Sequence, residues 1–150
     1  MRNFSEEDLI QRAFQRVAMV MFGMWEEKGS SDTRLLLPPL IPDEFVIVGE
    51  SAAGRENREH VIPRNIICYR CHEMFSAGSS TEAVAAFIRR YLQIVHISKE
   101  EQQRLDSGKE LNLRQRMPDG WSFESGNLYA RLEAAKIEVK FKTANKVPNA

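Results

Sequence analysis

Glu59-His60-Val61-Ile62-Pro63 puts a carboxylate next to an imidazole at the end of an apolar segment, an arrangement able to bind a metal and to take a proton. An imidazole titrates near neutral pH, and a neighbouring anion is expected to raise its pKa and strengthen it as a base. On a strand, Glu59 and His60 point to opposite faces, so joint action at one metal needs a bend. Pro63, which donates no hydrogen bond and ends a strand, suits such a bend. The plainer alternative for His60 is a structural histidine at a strand end.

Outward from that segment the pattern alternates short strands with helices. Upstream, Glu44-Phe45-Val46-Ile47-Val48 reads as a strand closed by Gly49, and Ser51 to Arg58 as a loop of small and charged residues. Downstream, Asn65 to Phe75 reads as a helix stopped by Ser76-Ala77-Gly78. A second helix runs from Thr81 to about Leu92, with Val84, Phe87, Ile88 and Tyr91 inward and Arg89 and Arg90 near its C-terminus. Gln93-Ile94-Val95-His96-Ile97 has strand character, and Ser98-Lys99-Glu100-Glu101 is a capping box opening a short helix to about Asp106.

Ser5-Glu6-Glu7-Asp8 caps a long amphipathic helix ending near Lys28-Gly29, with Leu9, Ile10, Ala13, Phe14, Val17, Val20, Met21, Met24 and Trp25 at helical spacing. That stripe is core or a homodimer seam. Leu35-Leu36-Leu37-Pro38-Pro39-Leu40-Ile41-Pro42, with three prolines, is expected to be an extended apolar arm laid on the core, or, if exposed, a partner-binding strip. At the other end, Met117 to Trp121 is a turn, Asn127 to Ala135 a helix, Ile137 to Phe141 an alternating terminal strand, and Thr143 to Ala150 a fraying tail. The expected class is α+β: a small ββα-like strand unit embedded among several helices, with a long N-terminal helix. All 150 residues form one domain, with the helix and Pro-rich arm in 1–43, the ββα-like core and its helical insertion in 44–108, and a C-terminal helix and strand in 109–142.

With 43% hydrophobic and 28% charged residues the chain can bury a real core. Lysine plus arginine equals aspartate plus glutamate at 21 each, so a nucleic-acid surface must come from local clustering and not from net charge. No apolar run approaches the ~18 residues that span a bilayer, and the opening residues are charged where a signal sequence would be apolar. The expectation is a soluble cytoplasmic protein without a membrane partner.

Arg58-Glu59-His60-Val61-Ile62-Pro63, taken with Ile94-Val95-His96-Ile97-Ser98-Lys99-Glu100-Glu101-Gln102-Gln103-Arg104-Leu105, resembles the HNH, or His-Me finger, nuclease family. The resemblance implies a strand–strand–helix unit around a divalent metal, here magnesium, manganese, nickel or zinc, acting on nucleic-acid phosphodiesters. Carried over, Glu59 would hold the metal, His60 would activate water, Glu101 or Gln102 would complete the metal shell and Arg104 would meet the scissile phosphate. Asn65 to Leu92 would be an insertion between the two strands. Where the family's helix presents histidine or asparagine, this chain has Gln102 beside Glu101, and Asn65 follows His60 too soon to be the family's loop asparagine. A second reading follows: an inactive scaffold that binds protein or nucleic acid, as an accessory or inhibitor protein of a mobile element.

Cys68-Tyr69-Arg70-Cys71-His72 matches a c-type haem attachment pattern, which a cytoplasmic chain does not use. Zinc would need four ligands, and the pair would have to recruit His60, His72, His96 or a carboxylate. The simpler expectation is two reduced cysteines on a helix. His96 reads as a strand residue or a further ligand. Arg64, Arg70, Arg89, Arg90, Arg104, Arg114 and Arg116 flank the site in sequence and would grip phosphates if they converge. Trp121 and Tyr129 are candidates for stacking on bases or for a packed corner.

Overall fold

The computed structural model describes residues 2–142, and the fraying expected of Thr143 to Ala150 lies outside them. The fold is α+β, with five α-helices and one four-stranded sheet among the described residues. Helix α1 spans Glu6–Lys28. Strands β1 (Ile47–Ser51) and β2 (Asn57–His60) follow, then α2 (Arg64–Ser76), α3 (Thr81–Tyr91), β3 (Ile94–Ile97), α4 (Lys99–Asp106), α5 (Ala130–Ala134) and β4 (Val139–Phe141).

Ser5 starts α1 by accepting a hydrogen bond from the Asp8 amide, Asp8 returns one to the Ser5 amide, and Gly29 ends the helix at φ 74°. Its buried face is Ile10, Ala13, Phe14, Val17, Ala18 and Met21, packed on α3. The stripe is narrower than the apolar spacing suggests, because Leu9 and Val20 are exposed together with Met19. Trp25 instead closes the end of α1 with Phe22 and Phe75, at ring distances of 5.2 to 6.0 Å.

Two sequence expectations are corrected between α1 and β1. The proline-rich segment is not an extended arm: Thr33–Leu36 and Asp43–Phe45 are 3₁₀ turns joined through a cis Pro38-Pro39 peptide. Leu36 and Ile41 are driven into the core at 2% and 1% exposure. The first strand accordingly begins at Ile47, not Glu44, and continues past Gly49 to Ser51. Gly49 is not a terminator; it is the residue over which β4 crosses, since a Cβ there would lie 2.6 Å from the Lys140 carbonyl.

Sheet order is β2-β3-β1-β4. Strand β1 runs parallel to β3, with α2 and α3 in the connection, while β2 and β4 are antiparallel edges on β3 and β1. In the β2–β3 ladder Arg58 faces His96, Glu59 faces Val95 and His60 faces Ile94. Helix α4 leaves β3 after Ser98 and packs on β2. The sequence Asn57–His60, Ile94–Ile97, Lys99–Asp106 is therefore a strand–strand–helix unit in space, with α2 and α3 as its insertion. At the C-terminal end, the last helix starts at Ala130, three residues later than expected, and the last strand is trimmed to Val139–Phe141. No helix among the described residues is long and apolar enough to cross a membrane.

Candidate functional site

The end of β2, the start of α2, the outer face of α4 and the 114–115 loop surround one polar cavity of about 390 Å³. Glu59 and His60 enter it from β2, Gln102 and Asp106 from α4, and Arg58, Arg64 and Arg114 line its walls. Three of the five residues singled out from sequence thus meet. The other two do not.

Glu101 is 5% exposed and belongs to the α4 cap. One carboxylate oxygen accepts from the Ser98 amide and the other from the Ser51 hydroxyl, both at 2.8 Å. The capping box legible in the sequence is what removes this carboxylate from a metal. Arg104 turns the other way, its Nε donating to the Ala135 carbonyl at 2.9 Å, and so ties α4 to the end of α5.

Strand alternation separates Glu59 from His60, as the pleat requires. Glu59 faces α4 and α5: Oε1 accepts from Arg131 at 2.8 Å and Oε2 from the Gln102 amide at 3.0 Å. His60 lies among Arg58, Arg64 and Asp43, and its pKa falls to about 4, chiefly through burial and then through the charges of Arg64 and Arg58. The expectation of a raised pKa is overturned because Glu59 points away and its charge is already met by Arg131. His60 is consequently neutral at pH 7.

Gln102 is the hinge of the site. Its Nε2 donates to Glu59 Oε2 and to Asp106 Oδ2, each at 3.0 Å, so the amide nitrogen sits between two carboxylates. The opposite amide orientation would set its carbonyl oxygen against two acceptors. Two buried atoms of cavity-lining residues, His60 Nε2 and Asp106 Oδ1, have no hydrogen-bond partner.

A divalent cation of the hard type takes six or more oxygen ligands, and carboxylates supply the strongest of them. Here both Glu59 oxygens and one Asp106 oxygen are committed to cationic or amide donors. Among the described residues no group of three or more His, Cys, Asp or Glu side chains is placed to hold a metal ion. The side chains as they stand do not fit the metal that the resemblance implies. Nor do the cysteines: Cys68 and Cys71 are free and buried on the inner side of α2, burial raising the Cys68 pKa to about 11, while His72 Nε2 lies 2.7 Å from the Ser31 hydroxyl.

Arg131 is the site residue that sequence reasoning missed. Wholly buried, it donates to the Leu113 carbonyl through Nε and Nη2, to the His60 carbonyl through Nη1 at 2.6 Å, and to Glu59. It fixes the end of β2 and the 107–117 loop on opposite sides of one guanidinium. The only sequence hint is a lone cation inside the apolar helical pattern Leu128, Leu132, Ala135. His96, on the inner strand β3, lines a different pocket with Glu50 and Arg55 and not this cavity. Tyr129 is occupied, its hydroxyl donating to Gln93 at 2.7 Å and its ring resting on Phe141.

The chain matches no family model, no curated protein and no solved structure.

Proposed function

We propose that this chain binds the phosphate backbone of nucleic acid at the cavity between β2 and α4, on an HNH-like strand–strand–helix scaffold that does not rely on a metal. The observation that carries this reading is how charge is disposed around the cavity. Both Glu59 oxygens are held internally, by Arg131 and Gln102, and one Asp106 oxygen is held by Gln102. Three cations, Arg58, Arg64 and Arg114, line the same cavity. Arg114 makes no hydrogen bond or ion pair among the described residues, and Arg64 donates only to the Thr33 carbonyl, at 3.2 Å. Arg58 is held in place by a two-pronged bond to Asp43. Guanidinium groups suit phosphate oxygens because they present paired N–H donors to paired acceptors. By the resemblance, Gln102 corresponds to a metal ligand on the family's helix, and its amide links the two carboxylates.

The test is anisotropy of labelled single-stranded and duplex oligonucleotides titrated with protein in a chelator. Binding that survives chelation and weakens for every sequence alike in Arg64→Ala/Arg114→Ala supports the reading. Absence of binding by folded protein overturns it.

A second reading, metal-dependent phosphodiester hydrolysis by the same unit, is favoured by one observation: Glu59, His60 and Gln102 line one cavity, and His60 is neutral at pH 7. A neutral imidazole is the form a general base requires. Cleavage of DNA or RNA that needs magnesium, manganese, nickel or zinc and disappears in a folded His60→Ala variant would favour it over binding alone.

A further inference from the structure

Next to the phosphate cavity lies a second groove, of about 560 Å³, lined mainly by apolar and aromatic side chains. Its walls are Tyr69 and Ile66 of α2 on one side and Met117, Pro118, Trp121 and Phe123 on the other. Asn65, at the start of α2, borders both cavities. The two sites are therefore adjoining parts of one surface.

The groove is rigid on one side and open on the other. Trp121 is fixed by its Nε1–H bond to the Asn127 carbonyl at 2.8 Å, by an edge contact with Phe123 at 4.8 Å, and by Gly126, where an added Cβ would lie 2.2 Å from the indole. Phe123 is in turn locked into Phe87 and Tyr91 of α3 at 5.0 and 4.9 Å. Tyr69 projects into solvent at 68% exposure, an arrangement that burial does not explain. The groove offers no unpaired cation: the Arg70 guanidinium lies 4.8 Å over the Phe123 ring and is paired with two carboxylates, Glu124 at 2.6 Å and Glu73 at 3.3 Å.

An aromatic groove without a free cation, beside an arginine-lined one, matches the two halves of a nucleotide. We infer that Tyr69 and Trp121 bind an unpaired nucleobase, so that the ligand of this surface is single-stranded nucleic acid, its phosphates at Arg64 and Arg114 and a base between the two rings. This rests on the backbone-binding reading above and names the strand state it selects. Bases stacked and paired in a duplex present only their edges, whereas an unpaired base offers the faces that aromatic rings engage. Stacking makes few demands on base identity, so recognition is of strandedness more than of sequence.

The chain has two tryptophans, and Trp25 is packed away against Phe22 and Phe75, so Trp25→Phe leaves Trp121 as the sole indole reporter. Oligothymidylate, a sugar–phosphate strand of the same length without bases, and a duplex are titrated against this protein. The expected result is saturable quenching of Trp121 by oligothymidylate, and binding of the base-free strand without quenching. Tyr69→Ala lowers affinity for oligothymidylate by about 5- to 150-fold, in line with the stacking of one base on an aromatic ring. Tyr69→Phe restores it, and the affinity of both variants for the base-free strand is unchanged. Equal affinity for strands with and without bases, or tighter duplex binding with silent Trp121, overturns the base-binding groove and leaves the phosphate site standing. If no nucleic acid binds at all, the phosphate reading falls with it.

Discussion

Replacing Arg131 by methionine removes a guanidinium that holds three acceptors at once: the Leu113 carbonyl, the His60 carbonyl and a Glu59 oxygen. Methionine fills much of the volume, so the loss is electrostatic and not a cavity. Breaking a buried ion pair from one side costs about 3–5 kcal/mol, because the surviving charge stays buried. Glu59, with its side chain 14% exposed and still bonded to Gln102, recovers part of that, whereas the two carbonyls left without donors add to it. We expect a loss of about 4 kcal/mol. For a chain of this size that lowers Tm by about 8–16 °C. Equilibrium urea unfolding of Arg131→Met, Glu59→Leu and the double variant measures it. The double variant should be more stable than the two single losses added together by about 1–3 kcal/mol, since neither charge is then left alone. A single loss under about 1 kcal/mol, or simple additivity, refutes the claim that this guanidinium pins β2 to the 107–117 loop.

Three shorter expectations follow from neighbouring residues. His60, with a pKa of about 4 folded and an ordinary 6.5 unfolded, contributes stability that is fully present above pH 6.5 and is lost as pH falls through 4. Comparing stability across that window in wild type and His60→Gln should show a difference of roughly 3 kcal/mol, and a His60 NMR titration centred near 6.5 would contradict it. Gln102→Ala removes both bonds between the amide and the carboxylates and should cost about 2 kcal/mol in urea unfolding; a loss under about 0.5 kcal/mol would contradict its bridging role. Gly49→Ala forces a methyl group against the Lys140 carbonyl, so chemical denaturation should show a loss of about 1–3 kcal/mol, with amide exchange quickest to rise in β4.

The helices were legible because their signals are local. Ser5 and Asp8, Ser80, and Ser98 with Glu101 each mark a helix start by side-chain chemistry that needs no tertiary partner. The strands were less so. Glu44-Phe45 alternates well enough for a strand, yet Pro42 starts a 3₁₀ turn that absorbs both, and Gly49-Glu50-Ser51 is a strand only because β4 and β3 pair with it from either side. The proline-rich segment was legible as irregular, but not as a pair of turns, because the turn at Thr33–Leu36 is set by packing on the distant α1 and α2 surfaces.

At the site, adjacency in sequence was a poor guide to partnership. Glu59 and His60 are neighbours whose side chains diverge, and the carboxylate that neutralises Arg131 comes from 72 residues away. Glu101 was readable both as a cap and as a ligand; one carboxylate cannot be both, and burial decided for the cap. Arg131 could not be found by pattern, since its function is to satisfy backbone carbonyls that only the folded chain brings together.

The salt dependence of single-strand affinity tests the central claim most directly. Each phosphate held by a cation contributes about 0.7 to the slope of log affinity against log salt for a single strand. In chelator, Arg64→Ala/Arg114→Ala should flatten the wild-type slope by about 1.4 while leaving the fold intact. An unchanged slope, or affinity that vanishes on chelation, would contradict a metal-independent phosphate site between β2 and α4.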